Sequence, residues 1–259
     1  MLKKFYIFLI LNSVLFITFS KEFKEKKSEH FIVYYEPEVD EYYVDRIISK
    51  AELNYRRITE EFRLVRDKLW LWGNRANIYI AKDKDNYLNK FKCPDWSGGC
   101  VNYRDKIIYT FKEQNNIDYI LVHELTHIIF REYVGENKLP LWLDEGMAMY
   151  TEYKYIGKPS DIDIIVKNAI KNKEYIKFAD FSKITYFDLI NKPKDYVNLF
   201  YSQSYSIINY LIDKYSMDNF KQFLYFLKNG YKLEEALKKS FYYFDSLEKL
   251  EEFWIKNFL

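Results

Sequence analysis

The 259-residue sequence predicts an α+β fold: a small mixed sheet with its helices in the first half, followed by a mostly helical C-terminal lobe. Three observations carry that expectation. Short runs rich in β-branched and aromatic residues at 30–35 and 76–81 read as strands. From about Asp161 to the end, apolar residues recur at helical spacing. Seven glycines and five prolines leave little room for long flexible linkers, so the elements must pack as one unit.

Taken in order, His30 to Tyr35 forms the first strand, and Pro37 ends it. His30 stands alone at the strand start, where a structural role is expected. Val39 to Phe62 is an amphipathic helix whose broad apolar face carries Val44, Ile47, Ala51, Ile58 and Phe62. Ala76 to Ala81 is a second strand, and Gly99 to Phe111 a third with a bend near Arg104-Asp105. A helix capped by Asn115 or Asn116, with Asp118 against the positive end of its dipole, runs to Gly135. After a short turn, Pro140 opens another helix at Leu141. The helices that follow are expected at 161–173, 186–191, 197–215, 217–229, 233–240 and 246–258.

Residues 123–127 read His-Glu-Leu-Thr-His, and Glu145 comes eighteen positions after the second histidine. A helix turns about 100° per residue, so His123 and His127 share a face and can aim two imidazole nitrogens at one metal ion. Of the three histidines in the chain, two stand in this motif. Tyr119-Ile-Leu-Val before it and Ile128-Ile-Phe130 after it would bury the helix, and buried His-Glu-His groups are costly unless something satisfies them. Zn2+ would do so, with Glu145 as third ligand and a fourth position open to water. Glu124 faces the same cavity and is the candidate general base.

These residues resemble the gluzincin-type metallopeptidases, and within them the peptidase-MA-like families, through Trp142-Leu-Asp-Glu-Gly-Met-Ala148 as well as the histidine motif. The resemblance implies one zinc ion, a peptide or protein substrate, and hydrolysis of peptide bonds by a water that Glu124 deprotonates. Ser97-Gly-Gly-Cys-Val-Asn-Tyr103 is similar to the edge strand that pairs with extended substrate in that clan, which makes Gly98 and Gly99 candidate substrate contacts. Val101 stands where the aminopeptidases of the clan carry a glutamate for the substrate's free amino terminus, which speaks against amino-terminal capture. Phe200 to Tyr215 is similar to the tyrosine helix of these proteins, so Tyr201 and Tyr205 are candidate donors to an oxyanion. Met149 occupies a position where some members place a carboxylate that orients a zinc histidine, leaving that task to Asp144 or a backbone carbonyl. The same constellation would also serve a hydrolase of a non-peptide amide. A catalytically silent binding or scaffold module would keep the fold, with or without the zinc, and cleave nothing.

Residues 1–20 combine two lysines, a fifteen-residue mostly apolar run and Thr18 and Ser20, the pattern of a secretory signal peptide or an uncleaved N-terminal anchor. Export is therefore expected, with residues 21–28 as a charged linker and 29–259 as the catalytic domain, an α+β lobe over 29–135 and a helical lobe over 140–259. Removing the two lysines of the leader takes the formal charge from +2 to zero, which gives nucleic-acid binding no basic surface. No phosphate loop or dinucleotide fingerprint is present. Cys93 and Cys100 are the two cysteines; export and their seven-residue separation favour a disulfide over two unpaired thiols.

Overall fold

The computed structural model describes residues 22–66, 68–93, 97–112, 117–135 and 139–258. The leader at 1–20 and the expected helix caps at Asn115 and Asn116 lie outside them. Strand β1 (Lys24–Lys27) takes half of the expected linker and pairs antiparallel with β2 (Phe31–Tyr35), Lys24 opposite Tyr35 and Lys27 opposite Ile32. Ladder hydrogen bonds come from the backbone, so a run of lysine and glutamate can form an edge strand, and its charges disfavour further pairing. Lys26 reaches Asp45 at 2.6 Å.

The sheet continues through β3 (Ala76–Ala81), parallel to β2, then β5 (Ile107–Phe111), parallel to β3, and ends at β4 (Gly99–Asn102), antiparallel to β5. Its order is β1-β2-β3-β5-β4, a five-stranded mixed sheet with β4 on one edge. The strand expected across 99–111 is a hairpin: the bend at Arg104-Asp105 is its turn, where the Asn102 side chain accepts from the Asp105 amide at 3.2 Å. Phe31, Val33 and Tyr35 alternate inward from β2, onto helix α1 (Glu41–Glu61), which is capped by Asp40 accepting from Tyr43 N at 2.8 Å. His30 is fastened to α1, its Nδ1 2.6 Å from Glu52 and its ring stacked 4.1 Å from Tyr55. Helix α2 (Lys84–Phe91) was not foreseen; eight residues give too few turns for a period, although Asp83 caps it.

Helix α3 (Ile117–Val134) buries Leu121, Val122, Leu125, Ile128, Ile129 and Phe130, on nearly all sides, which puts the histidine motif in the molecule's centre. Gly135 follows it. Helix α4 (Leu141–Tyr155) begins after Pro140 as expected. Helices α5 (Ile162–Asn172), α6 (Phe178–Phe181), α7 (Tyr186–Ile190), α8 (Lys194–Tyr215), α9 (Met217–Lys228), α10 (Leu233–Ser240) and α11 (Leu247–Lys256) complete the helical part. The single turn α6 was not foreseen, and α8 starts three residues early because Pro193 sits just ahead of its first turn. One continuous core runs from Phe31 to Trp254, so sheet and helices share an interior. Helices α4 and α8 cross closely at Gly146, where a Cβ would stand 2.5 Å from the Ser204 carbonyl oxygen. That glycine lets α8 lie directly against the residue that follows Glu145. No helix among the described residues is long and apolar enough to cross a membrane.

Candidate metal centre

The centre is built from α3 and α4. His123 and His127, one turn apart on α3, turn their Nε2 atoms toward each other at 3.1 Å. From α4, Glu145 Oε2 lies 3.6 Å from the first and 3.5 Å from the second. The ligating atoms of these three residues all fall within 4.8 Å of one another. Each histidine is fixed from behind: Glu152 Oε2 is 2.9 Å from His123 Nδ1, and Asp144 Oδ1 is 3.0 Å from His127 Nδ1. A carboxylate at Nδ1 keeps the proton there and leaves Nε2 as a bare lone pair.

Two imidazole lone pairs and a carboxylate converging on one point are a donor set for zinc. Electrostatics point the same way. Burial works against a charged His123, yet hydrogen bonding to Glu145 and Glu152 outweighs it and raises its pKa to about 9. His127 is also raised well above the ordinary value, against burial, chiefly by the charge of Asp144. Burial would lift Glu145, but the charge of His127 and hydrogen bonds from both histidines hold it well below the usual carboxylate range. The bare site therefore gathers positive charge as protons, and a divalent cation competes for the same lone pairs. The residues fit the ion.

A cavity of about 580 Å³ opens over the donors. Glu124 lines it outside the donor group, and burial pushes its pKa up. Tyr201 of α8 lines it too; burial, then the charge of Glu145, raises its pKa, so the hydroxyl stays a protonated donor. Tyr205 does not. Its hydroxyl donates to Asn209 Oδ1 at 3.3 Å and its ring packs 4.9 Å from Tyr153, because one further turn of α8 carries it past the cavity. Of the two candidate glycines, Gly99 lines the cavity, whereas the Gly98 carbonyl accepts from Thr110 Oγ1 at 3.0 Å inside the hairpin. Both placements have one cause: a side chain or carbonyl committed to an internal bond is drawn away from the cleft. Cys93 and Cys100 form the expected disulfide, with Cα atoms 6.0 Å apart, and both face the cavity. Val101 faces it as well, with no carboxylate to offer an ammonium group.

Four residues escaped the sequence reading. Glu152 lies seven positions after Glu145, two turns along the same face of α4, a spacing that could have found it. Arg131, one turn beyond His127, donates to Asp144 at 2.5 and 2.8 Å and lies 3.9 Å over the Tyr103 ring. Tyr103 in turn packs edge-on against His127, 5.6 Å between ring centres. Tyr186 of α7 reaches the cavity from far along the chain, with no local signal.

The profile of the Peptidase MA superfamily matches residues 72–259. No curated protein matches the sequence. Among solved structures, yeast LTA4 hydrolase in complex with Bestatin is similar at 18% identity and a TM-score of 0.47, covering 91% of this chain and 37% of that one. Native yeast LTA4 hydrolase is similar at 17% identity and a TM-score of 0.46, covering 90% and 38%. This chain thus spans well under half the length of those proteins. The profile match takes in α3, α4 and α8, the helices that carry the three candidate ligands and Tyr201, and by it the chain belongs to the Peptidase MA superfamily.

Proposed function

We propose that this protein is an exported zinc metallopeptidase that hydrolyses peptide bonds with Glu124 as general base. One observation carries the reading: two Nε2 atoms and a Glu145 oxygen converge on one point while Glu152 and Asp144 hold the histidines from behind. His123, His127 and Glu145 would hold the zinc, which when bound supplies Lewis-acid polarisation of a carbonyl and acidifies water. Glu124, beside the donors and raised by burial, accepts the proton of the attacking water and returns it to the leaving amine. The Tyr201 hydroxyl donates a hydrogen bond to the oxygen on which charge develops. The free edge of β4, at Gly99 and Val101, pairs with the extended substrate backbone. Export rests on the apolar leader, and the disulfide suits an oxidising compartment.

The test is zinc content and cleavage of a quenched peptide library by the full chain, beside Glu124→Gln. The expected result is one zinc per chain in both, with cleavage at least about 100-fold lower in the variant. Zinc without cleavage by either protein would favour a binding module or a non-peptide substrate. Failure to bind zinc under zinc-replete conditions would overturn the site.

A further inference from the structure

The cavity also has walls, and their chemistry differs from that of its floor. Four of its charged groups are the three donors and Glu124. A fifth, Arg131, is spent: its guanidinium is hydrogen-bonded to buried Asp144 and covered by the Tyr103 ring. The sixth, Lys92, is exposed at the rim. Beyond these six, no charged group lines the cavity among the described residues. What remains, apart from Ser97 and the tyrosine hydroxyls, is apolar. The α+β half contributes Val101 and the Cys93–Cys100 disulfide, and the helical half contributes Leu141, Tyr186 and Tyr201.

Tyr186 is 44% exposed, although it stands in the cavity wall. Its neighbours on the same short helix, Phe187 and Ile190, are 78% and 59% exposed. Thr185 and Asp188 bond reciprocally and hold that helix in place, Thr185 N donating to Asp188 Oδ2 at 2.8 Å. Tyr186 thus stands in the cavity wall without being fully buried by its own protein. A volume of about 580 Å³ has room for a large side chain beside a scissile bond.

Resting on the reading of this cavity as a peptidase site, we propose that it selects a bulky apolar residue next to the scissile bond, gripped between Tyr186 and the wall formed by Val101 and the disulfide. Tyr186 is then a specificity-determining residue. A charged side chain placed there would lose its water and find no partner, and a small one would leave the walls unfilled.

The test measures binding apart from cleavage. Zinc-loaded full chain carrying Glu124→Gln is titrated with terminally blocked oligoglycine peptides holding a single Phe, Leu, Gly, Asp or Lys. Phe and Leu are expected to bind at least about 10-fold tighter than Gly, Asp or Lys. Adding Tyr186→Ala should erase most of that ratio, while Tyr186→Phe, which keeps the ring, should preserve it; thermal unfolding and zinc content stay unchanged in both. Equal affinities across the series, or a ratio indifferent to Tyr186→Ala, would overturn the proposal. Cleavage of the same peptides by the unmutated chain reports separately on the catalytic reading. Selective binding without cleavage would sink that reading and leave the subsite standing.

Discussion

Asp144 is the carboxylate on which the centre leans most, and its removal has a calculable cost. It is 1% exposed and makes three contacts: two from Arg131, at 2.8 and 2.5 Å, and one of 3.0 Å to His127 Nδ1. Asp144→Ala removes the acceptor of a guanidinium and the charged partner of a buried imidazole. Breaking one partner out of a buried ion pair costs about 3–5 kcal/mol. Arg131 keeps 23% of its side-chain surface in water, so solvent recovers part of its loss and the lower end, about 3 kcal/mol, is the expected figure. That corresponds to roughly a 100-fold change in the folding equilibrium. The freed His127 ring should in addition weaken zinc binding by about 10–100-fold, since nothing fixes its tautomer. Urea unfolding of the metal-free chain gives the first number, and competition against a chromophoric chelator gives the second. Asp144→Asn, which keeps an acceptor but loses the charge, should fall between. A loss under about 1 kcal/mol together with an unaltered zinc affinity would refute the assignment of Asp144 as the partner of both groups.

Other outcomes follow from the same geometry. Glu152→Gln should lower zinc affinity by roughly 10-fold and also remove part of the metal-free stability that protonated His123 supplies, because its carboxylate is one of the two that raise His123; a chelator titration showing no change would rule out the contact's role. In the metal-free protein His123 titrates near 9, above the unfolded value of about 6.5, so its stabilising contribution is complete below about pH 6.5 and disappears as pH rises through 9. Thermal unfolding of metal-free protein should therefore drop between pH 6.5 and 9.5, and the zinc-loaded protein, in which the ion replaces those protons, should show no such drop; parallel curves would contradict this. Tyr201→Phe should reduce kcat by about 10²–10³ while leaving zinc content intact, and steady-state kinetics on one peptide decide it. Paired Cys93→Ser and Cys100→Ser changes open a short loop and should cost about 2–3 kcal/mol in denaturant unfolding, with zinc retained.

The candidate metal-binding triad was legible because it is local arithmetic. His123 and His127 are separated by one helical turn, and Glu145 opens a neighbouring helix whose start Pro140 announces, so spacing and capping alone bring the donors within reach. Strands β2 and β3 declared themselves in the same way, by alternation and β-branched content. Sequence patterning failed where side-chain character and backbone role part company. The charged run at Lys24–Lys27 became a strand because a neighbouring edge offered its hydrogen-bonding groups. The motif favours Tyr201 over Tyr205 without geometry, and it is the packing of α8 on Gly146 that puts Tyr201 and not Tyr205 in the cavity wall. Glu152, Arg131 and Tyr186 gain their roles from contacts across elements, and the distances that define those roles do not exist in an unfolded chain. Local sequence determined which atoms could ligate a metal; tertiary packing decided which groups orient those atoms and what lines the space above them, because burial and pairing belong to the folded interior.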